Sequence, residues 1–99
     1  MPYVIKHATS GTILSCVQRN GYKLAYYGIL LWEQQLPGPR EISEALAEAG
    51  ITPSDEAGNV SDWEPLELSE HEVKMANVKL RNDQRRVVYY RDGVIGVVE

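Results

Sequence analysis

Apolar and polar residues alternate along the first third of the chain, fall into a 3.6-residue rhythm through its middle, and alternate again at its end. A strand half covered by a core needs a period of two; a helix needs 3.6. Tyr3–His7, Thr12–Gln18 and Tyr22–Gly28 are therefore expected as an antiparallel meander, punctuated by Ser10-Gly11 and Asn20-Gly21. Asn-Gly suits a type I′ turn, whose two central residues both need positive φ. Two-residue turns at both places would set Cys16 opposite Ala25, Val17 opposite Leu24, Ile5 opposite Cys16 and His7 opposite Leu14, unless the Ser10-Gly11 loop is longer. Leu24–Trp32 is apolar on both alternations, as in a strand covered on two sides, with Gly28 as the place for a bulge. It must end before Pro37-Gly38-Pro39, which cannot sit inside a paired strand.

Ile42, Ala45, Leu46 and Ala49 lie at i, i+3, i+4 and i+7, which predicts a helix over residues 40–49 with Glu41, Ser43, Glu44 and Glu48 on its outer side. Pro39 before it and Gly50 after it are the usual punctuation. Residues 51–62 read as an exposed loop, and Trp63–Leu68 as a short edge strand limited by Pro65. Ser69 with Glu72 forms a capping box, and Leu68 with Val73 a hydrophobic staple, so a second helix begins there. Its core side is Val73, Ala76 and Leu80, with Met75 and Val78 flanking. Arg85–Arg91 and Val94–Glu99 enclose Asp92-Gly93, another type I′ candidate. That hairpin sets Tyr90 opposite Ile95, Val88 opposite Val97 and Arg86 opposite Glu99. Val87, Val94 and Val98 are apolar on its second face, so that face is either partly covered or a binding surface. The order β-β-β-α-(β)-α-β-β is that of an α+β fold. The expectation is a single domain, 1–99, with a mainly antiparallel sheet of five to six strands and two helices packed on one face.

Charge changes the picture more than composition does. Residues 33–72 hold eleven of the fourteen acidic groups against one base, Arg40, a net of −10. Residues 1–32 carry three bases and no acid; residues 73–99 carry six bases and three acids. An acidic middle between two basic ends shapes the field a partner meets. The overall balance of −4 argues against a protein that coats nucleic acid through net charge. Hydrophobic content of 43% with 24% charged residues excludes disorder of the whole chain. A single cysteine, Cys16, permits no internal disulfide, and no stretch reads as a signal peptide or a membrane span, so a cytoplasmic protein is expected.

Candidate chemistry is sparse. Cys16 and His7 would share a face of adjacent strands, but a thiol nucleophile needs an accessible, electropositive setting. Cys16 is expected to be packed between Ile5 and Ala25, and His7 to serve as a structural donor. His71-Glu72 lacks the second histidine that a zinc-protease helix needs four residues on, where Met75 stands. Neither a metal site nor a cofactor is expected, and glycine-rich phosphate loops are absent from the sequence. The reading is a small non-enzymatic protein-interaction or regulatory module with an acidic helix and loop surface. Trp32, Glu44, Glu48, Asp55, Glu56 and Trp63 are its contact residues, because tryptophan anchors interfaces. An edge strand also offers a route to a homodimer. The alternative is single-stranded nucleic-acid binding, with tyrosines stacking bases and cations tracking phosphates: Tyr22, Lys23, Arg85, Arg86, Tyr89 and Arg91. A small thiol enzyme using Cys16 is the third possibility.

Overall fold

A computed structural model describes residues 2–19 and 21–98. The elements are β1 (Tyr3–His7), β2 (Ser15–Arg19), β3 (Ala25–Ile29), α1 (Pro39–Glu48), a short 3-10 turn (Val60–Asp62), β4 (Trp63–Glu67), α2 (Glu70–Leu80), β5 (Val87–Arg91) and β6 (Val94–Val98). The class is α+β, with every ladder antiparallel and the expected element order. No helix among the described residues is long and apolar enough to cross a membrane.

The sheet is not one continuous array of five or six strands. It is three two-stranded ladders, β1–β4, β2–β3 and β5–β6. Single bridges stitch them together: Tyr3 with Trp32, Lys6 with Ile13, and Thr12 with Tyr89. The reason lies at Leu14. Its N–H donates to Ile5 of β1 at 3.1 Å, while its carbonyl accepts from Leu30 at 3.0 Å. One segment thus changes partner midway, leaving β1 to begin the β2–β3 ladder.

Registers in the first third differ from expectation for the same reason. His7 donates to Thr12 across a four-residue loop, and Gly11 closes it at φ +78°, so Ile5 lies opposite Leu14 rather than Cys16. A Cβ on Gly11 would come within 2.8 Å of the Tyr90 carbonyl, so only glycine fits there. β2 ends at Arg19 and β3 begins only at Ala25, with Lys23 at φ +62°. Cys16 therefore faces Gly28, not Ala25, and Val17 faces Tyr27, not Leu24. The slip is odd, so Ala25 and Tyr27 move from the face of Cys16 to the face of Val17. Asn20 of the expected turn, and Glu99 of the expected pair with Arg86, lie outside the described residues.

Local predictions hold where the signal is local. Ser69 Oγ accepts from the Glu72 N–H at 3.1 Å, and Glu72 Oε1 accepts from the Ser69 N–H at 2.9 Å, which completes the capping box. The last hairpin pairs Tyr90 with Ile95 and Val88 with Val97, turning through Asp92 and Gly93, both at positive φ. Pro65 stands opposite Ile5 in β4, a strand with no other ladder.

Two apolar clusters form, one on each side of β1. Val4, Ile13, Ile29 and Val88 pack with Leu68, Ala76 and Leu80 around α2. Ile5, Leu14 and Trp63 pack with Ile42, Ala45 and Leu46 of α1. Neighbouring residues of a strand point to opposite faces, so Val4 and Ile5 commit α2 and α1 to opposite sides rather than to a shared one. Each fully buried aliphatic side chain contributes about 1.5–3 kcal/mol relative to exposure.

Candidate functional site

Residues 30–32 prolong β3 beyond Ile29 and run alongside α1. Trp32 is fixed there by two backbone bonds with Tyr3, donating at 2.9 Å and accepting at 2.8 Å. Its indole is half-buried. α1 buries Ile42, Ala45 and Leu46, which leaves Glu41, Glu44 and Glu48, spaced i, i+3 and i+7, along the outer flank. Two depressions meet at this place. One of about 170 Å³ lies between residues 30–32 and α1, walled by Leu30, Glu41, Glu44 and Glu48. The other, about 580 Å³, is walled by Tyr26, Glu33, Leu36 and Glu41. Trp32 and Glu41 line both.

Four glutamates thus line the two depressions that Trp32 also lines, and no lysine or arginine is among the described residues lining either one. Arg40 reaches Glu44 at 3.2 Å, but both side chains are largely exposed, and such a pair is weak. Leu36 is exposed at the rim. The lining combines apolar Leu30, Leu31 and Trp32 with Gln18, Gln34 and Gln35 and the four glutamates, which suits a cationic side chain with an aliphatic stem or a guanidinium stacked on the indole.

Three of the expected contact residues, Trp32, Glu44 and Glu48, are brought together here. Asp55 lies elsewhere and is occupied structurally: its Oδ2 accepts from the Thr52 N–H at 2.7 Å and from the Thr52 hydroxyl at 3.2 Å, shaping the turn after α1. Glu56 lines a separate cleft of about 470 Å³ with His7, Ile51, Trp63 and Arg86. Trp63 is not an exposed anchor. It is 5% exposed, its Nε1–H donates to the Ala57 carbonyl at 2.7 Å, and its ring meets His7 edge-on at 5.2 Å. Position 63 faces inward because β4 pairs with β1, where Trp63 lies opposite His7.

His7 accepts rather than donates at Nδ1, from the amides of Thr9 and Ser10 at 3.3 and 3.4 Å. Its Nε2 is buried with no hydrogen-bond partner among the described residues. Cys16 is buried, and burial raises its thiol pKa, with the Glu48 carboxylate adding to the rise. Both effects hold the thiol protonated, the reverse of what a nucleophile needs.

The alternative surface is dispersed. Tyr22 and Lys23 occupy the β2–β3 turn, Arg85 and Arg86 precede β5, and Tyr89 and Arg91 lie on it. Its three arginines make contacts within the fold. Arg85 bonds Asp83 at 3.2 Å and holds that carboxyl below its usual range. Arg86 lies 3.9 Å from Asp83 and donates to the Lys79 carbonyl at 3.3 Å. Arg91 donates to the Ser10 carbonyl at 2.8 Å and sits 4.3 Å above the Tyr89 ring.

Sequence reasoning passed over Glu33, Glu41 and Leu36 as walls of the Trp32 site. The carboxylate row was discoverable for Glu41, which stands one turn before Glu44 on the same stripe. Asn77 and Asn82 were also missed. Asn77 Oδ1 accepts from the Ile29 N–H at 3.1 Å and Asn82 Oδ1 from the Tyr27 N–H, closing the outer edge of β3. No protein-family model, curated protein or solved structure matches this chain.

Proposed function

We propose that the protein is a small non-enzymatic interaction module that captures a lysine- or arginine-bearing segment of a protein partner. The observation that carries this reading is the Trp32 site itself, an indole between two depressions walled by Glu33, Glu41, Glu44 and Glu48 with no lining cation among the described residues. Carboxylates steer a cationic partner into place, and an aromatic face rewards desolvating it. A thiol enzyme is disfavoured by the buried, protonated setting of Cys16. Nucleic-acid binding is disfavoured because its residues are dispersed over the β2–β3 connection, the loop before β5 and β5 itself, and because Arg86 and Arg91 already serve the Lys79 and Ser10 carbonyls.

Tryptophan fluorescence tests the proposal directly, because Trp63 is buried and Trp32 is only half-buried. Titration with a peptide alternating arginine and leucine is expected to shift the emission saturably. The same peptide with glutamate in place of arginine is expected to give none. Charge reversal of Glu41, Glu44 and Glu48 to lysine should abolish the shift, and added salt should weaken it. Equal binding of both peptides, or an unaltered titration in the triple variant, refutes the assignment.

A further inference from the structure

A different feature, independent of the Trp32 site, points to a second partner. The two bonds from residues 11–13 to β5, Ile13 N–H to the Val88 carbonyl and Tyr90 N–H to the Gly11 carbonyl, turn the backbone groups of Val88 and Tyr90 away from β6. Val87, Tyr89 and Arg91 therefore bond β6, through Val98, Gly96 and Val94. That leaves the N–H and C=O of Ile95 and Val97 pointing outward, and no backbone bond reaches them among the described residues.

The other sheet edges are defended. Asn77 and Asn82 occupy the outer amides of β3. β4 carries Pro65 between Glu64 and Leu66, with Glu67 at its end. β2 carries the charge of Arg19 at its exposed end. β6 reads Val-Ile-Gly-Val-Val, with no charge, no proline and no bulge. An uncharged edge whose outward groups have no backbone partner is a template for another strand. On the same hairpin face Val87, Val94 and Val98 are 42%, 61% and 51% exposed.

We infer that β6 is the joint of a two-fold symmetric dimer, pairing antiparallel with β6 of a second copy of this chain about Gly96. The register that retains all five residues sets Gly96 against Gly96, Ile95 against Val97, and Val94 against Val98. It mates the outward backbone groups of Ile95 and Val97 and puts no charged residue of β6 opposite another. It also joins the exposed valines of the two copies into one apolar face. The strand is its own complement, which is why the occupant is a second copy rather than an unrelated chain. A two-fold contact uses the same edge of both copies, and this closes the assembly at two. Gly96 suits the axis because the space above it belongs to Tyr89, whose ring a Cβ there would meet at 2.3 Å.

Sedimentation of the wild-type chain across a wide dilution series should show a species of twice the 11.1 kDa chain mass that dissociates on dilution. Hydrogen exchange at the Ile95 and Val97 amides should slow as the dimer populates. Val94→Lys with Val98→Lys places like charges opposite each other twice and should weaken association about tenfold or more. Val94→Lys with Val98→Glu places opposite charges at the same two contacts and should restore the dimer. Both positions are exposed, and circular dichroism checks that each variant is folded. A wild-type chain that stays monomeric throughout, assemblies larger than two, or concentration-independent exchange at Ile95 and Val97 overturns the inference. Failure of the Lys/Glu variant to regain the dimer overturns the register.

Discussion

Replacing Asn77 by alanine should destabilise the fold although the residue is exposed on α2, because its side chain completes β3. Asn77 Oδ1 is the acceptor for the Ile29 N–H at 3.1 Å, and Ile29 itself is 2% exposed. Removing the acceptor leaves a shielded donor unpaired, which costs about 1–3 kcal/mol. Water entering from the exposed side of α2 brings the value toward the lower end. Alanine returns roughly 0.5 kcal/mol through its better helix propensity. The net expectation is a loss of about 0.5–2.5 kcal/mol. For a domain of this size each kcal/mol lowers the melting temperature by about 4–8 °C. Asn77→Asp is the informative control. It keeps the acceptor while losing the amide donor, and it should cost only about 0.3–1 kcal/mol for an anion in the C-terminal half of a helix. Thermal melts rank the two variants, and exchange of the Ile29 amide separates the causes: fast in Asn77→Ala, unchanged in Asn77→Asp. An alanine variant as stable as wild type, with Ile29 still protected, would show that this bond carries no weight.

Two further outcomes follow from the geometry. Ser69→Ala removes the acceptor for the Glu72 N–H and should lower stability by about 1 kcal/mol, read as a reduced urea midpoint at unchanged slope. Iodoacetamide should label native Cys16 slowly at neutral pH and rapidly once denaturant is added, because burial both shields the thiol and raises its pKa; rapid native labelling would reverse the reading.

What could be read from the chain divides by sequence separation. The capping box of α2, the stripe of α1 and the Asp92-Gly93 hairpin each rest on residues a few positions apart, and each stands as expected. The pairing of β1 with β4 joins Tyr3 to Glu67, and no local pattern encodes it. β4 takes one edge of β1, and the segment after Gly11 divides the other with Trp32, so the expected meander gives way to separate short ladders. The wide β2–β3 connection was hidden by an Asn-Gly pair that reads as a tight turn, and Lys23 in a left-handed conformation leaves no signature in composition. Asn77 and Asn82 left a faint one, since asparagine is poor inside helices and its presence twice near one helix end asks for a reason.

The two tryptophans show why the charge pattern found the site but not all of its members. Each stands beside acids, Trp32 before Glu33 and Trp63 between Asp62 and Glu64, so composition treats them alike. Their fates differ because β4 offers a full ladder and Trp63 alternates inward with Glu64 outward, whereas residue 32 is held to the sheet by one bridge at its margin. A tryptophan within a full ladder is drawn to the core; one held by a single bridge at the sheet's margin stays half outside, beside the glutamates of α1 that line the same depression. The acidic segment therefore divides by its neighbours: Asp55 is taken up by Thr52, while Glu41, Glu44 and Glu48 line the Trp32 depression. It follows that charge reversal at Asp55 should disturb the turn after α1, whereas reversal along α1 should leave that turn intact and abolish the binding proposed at Trp32.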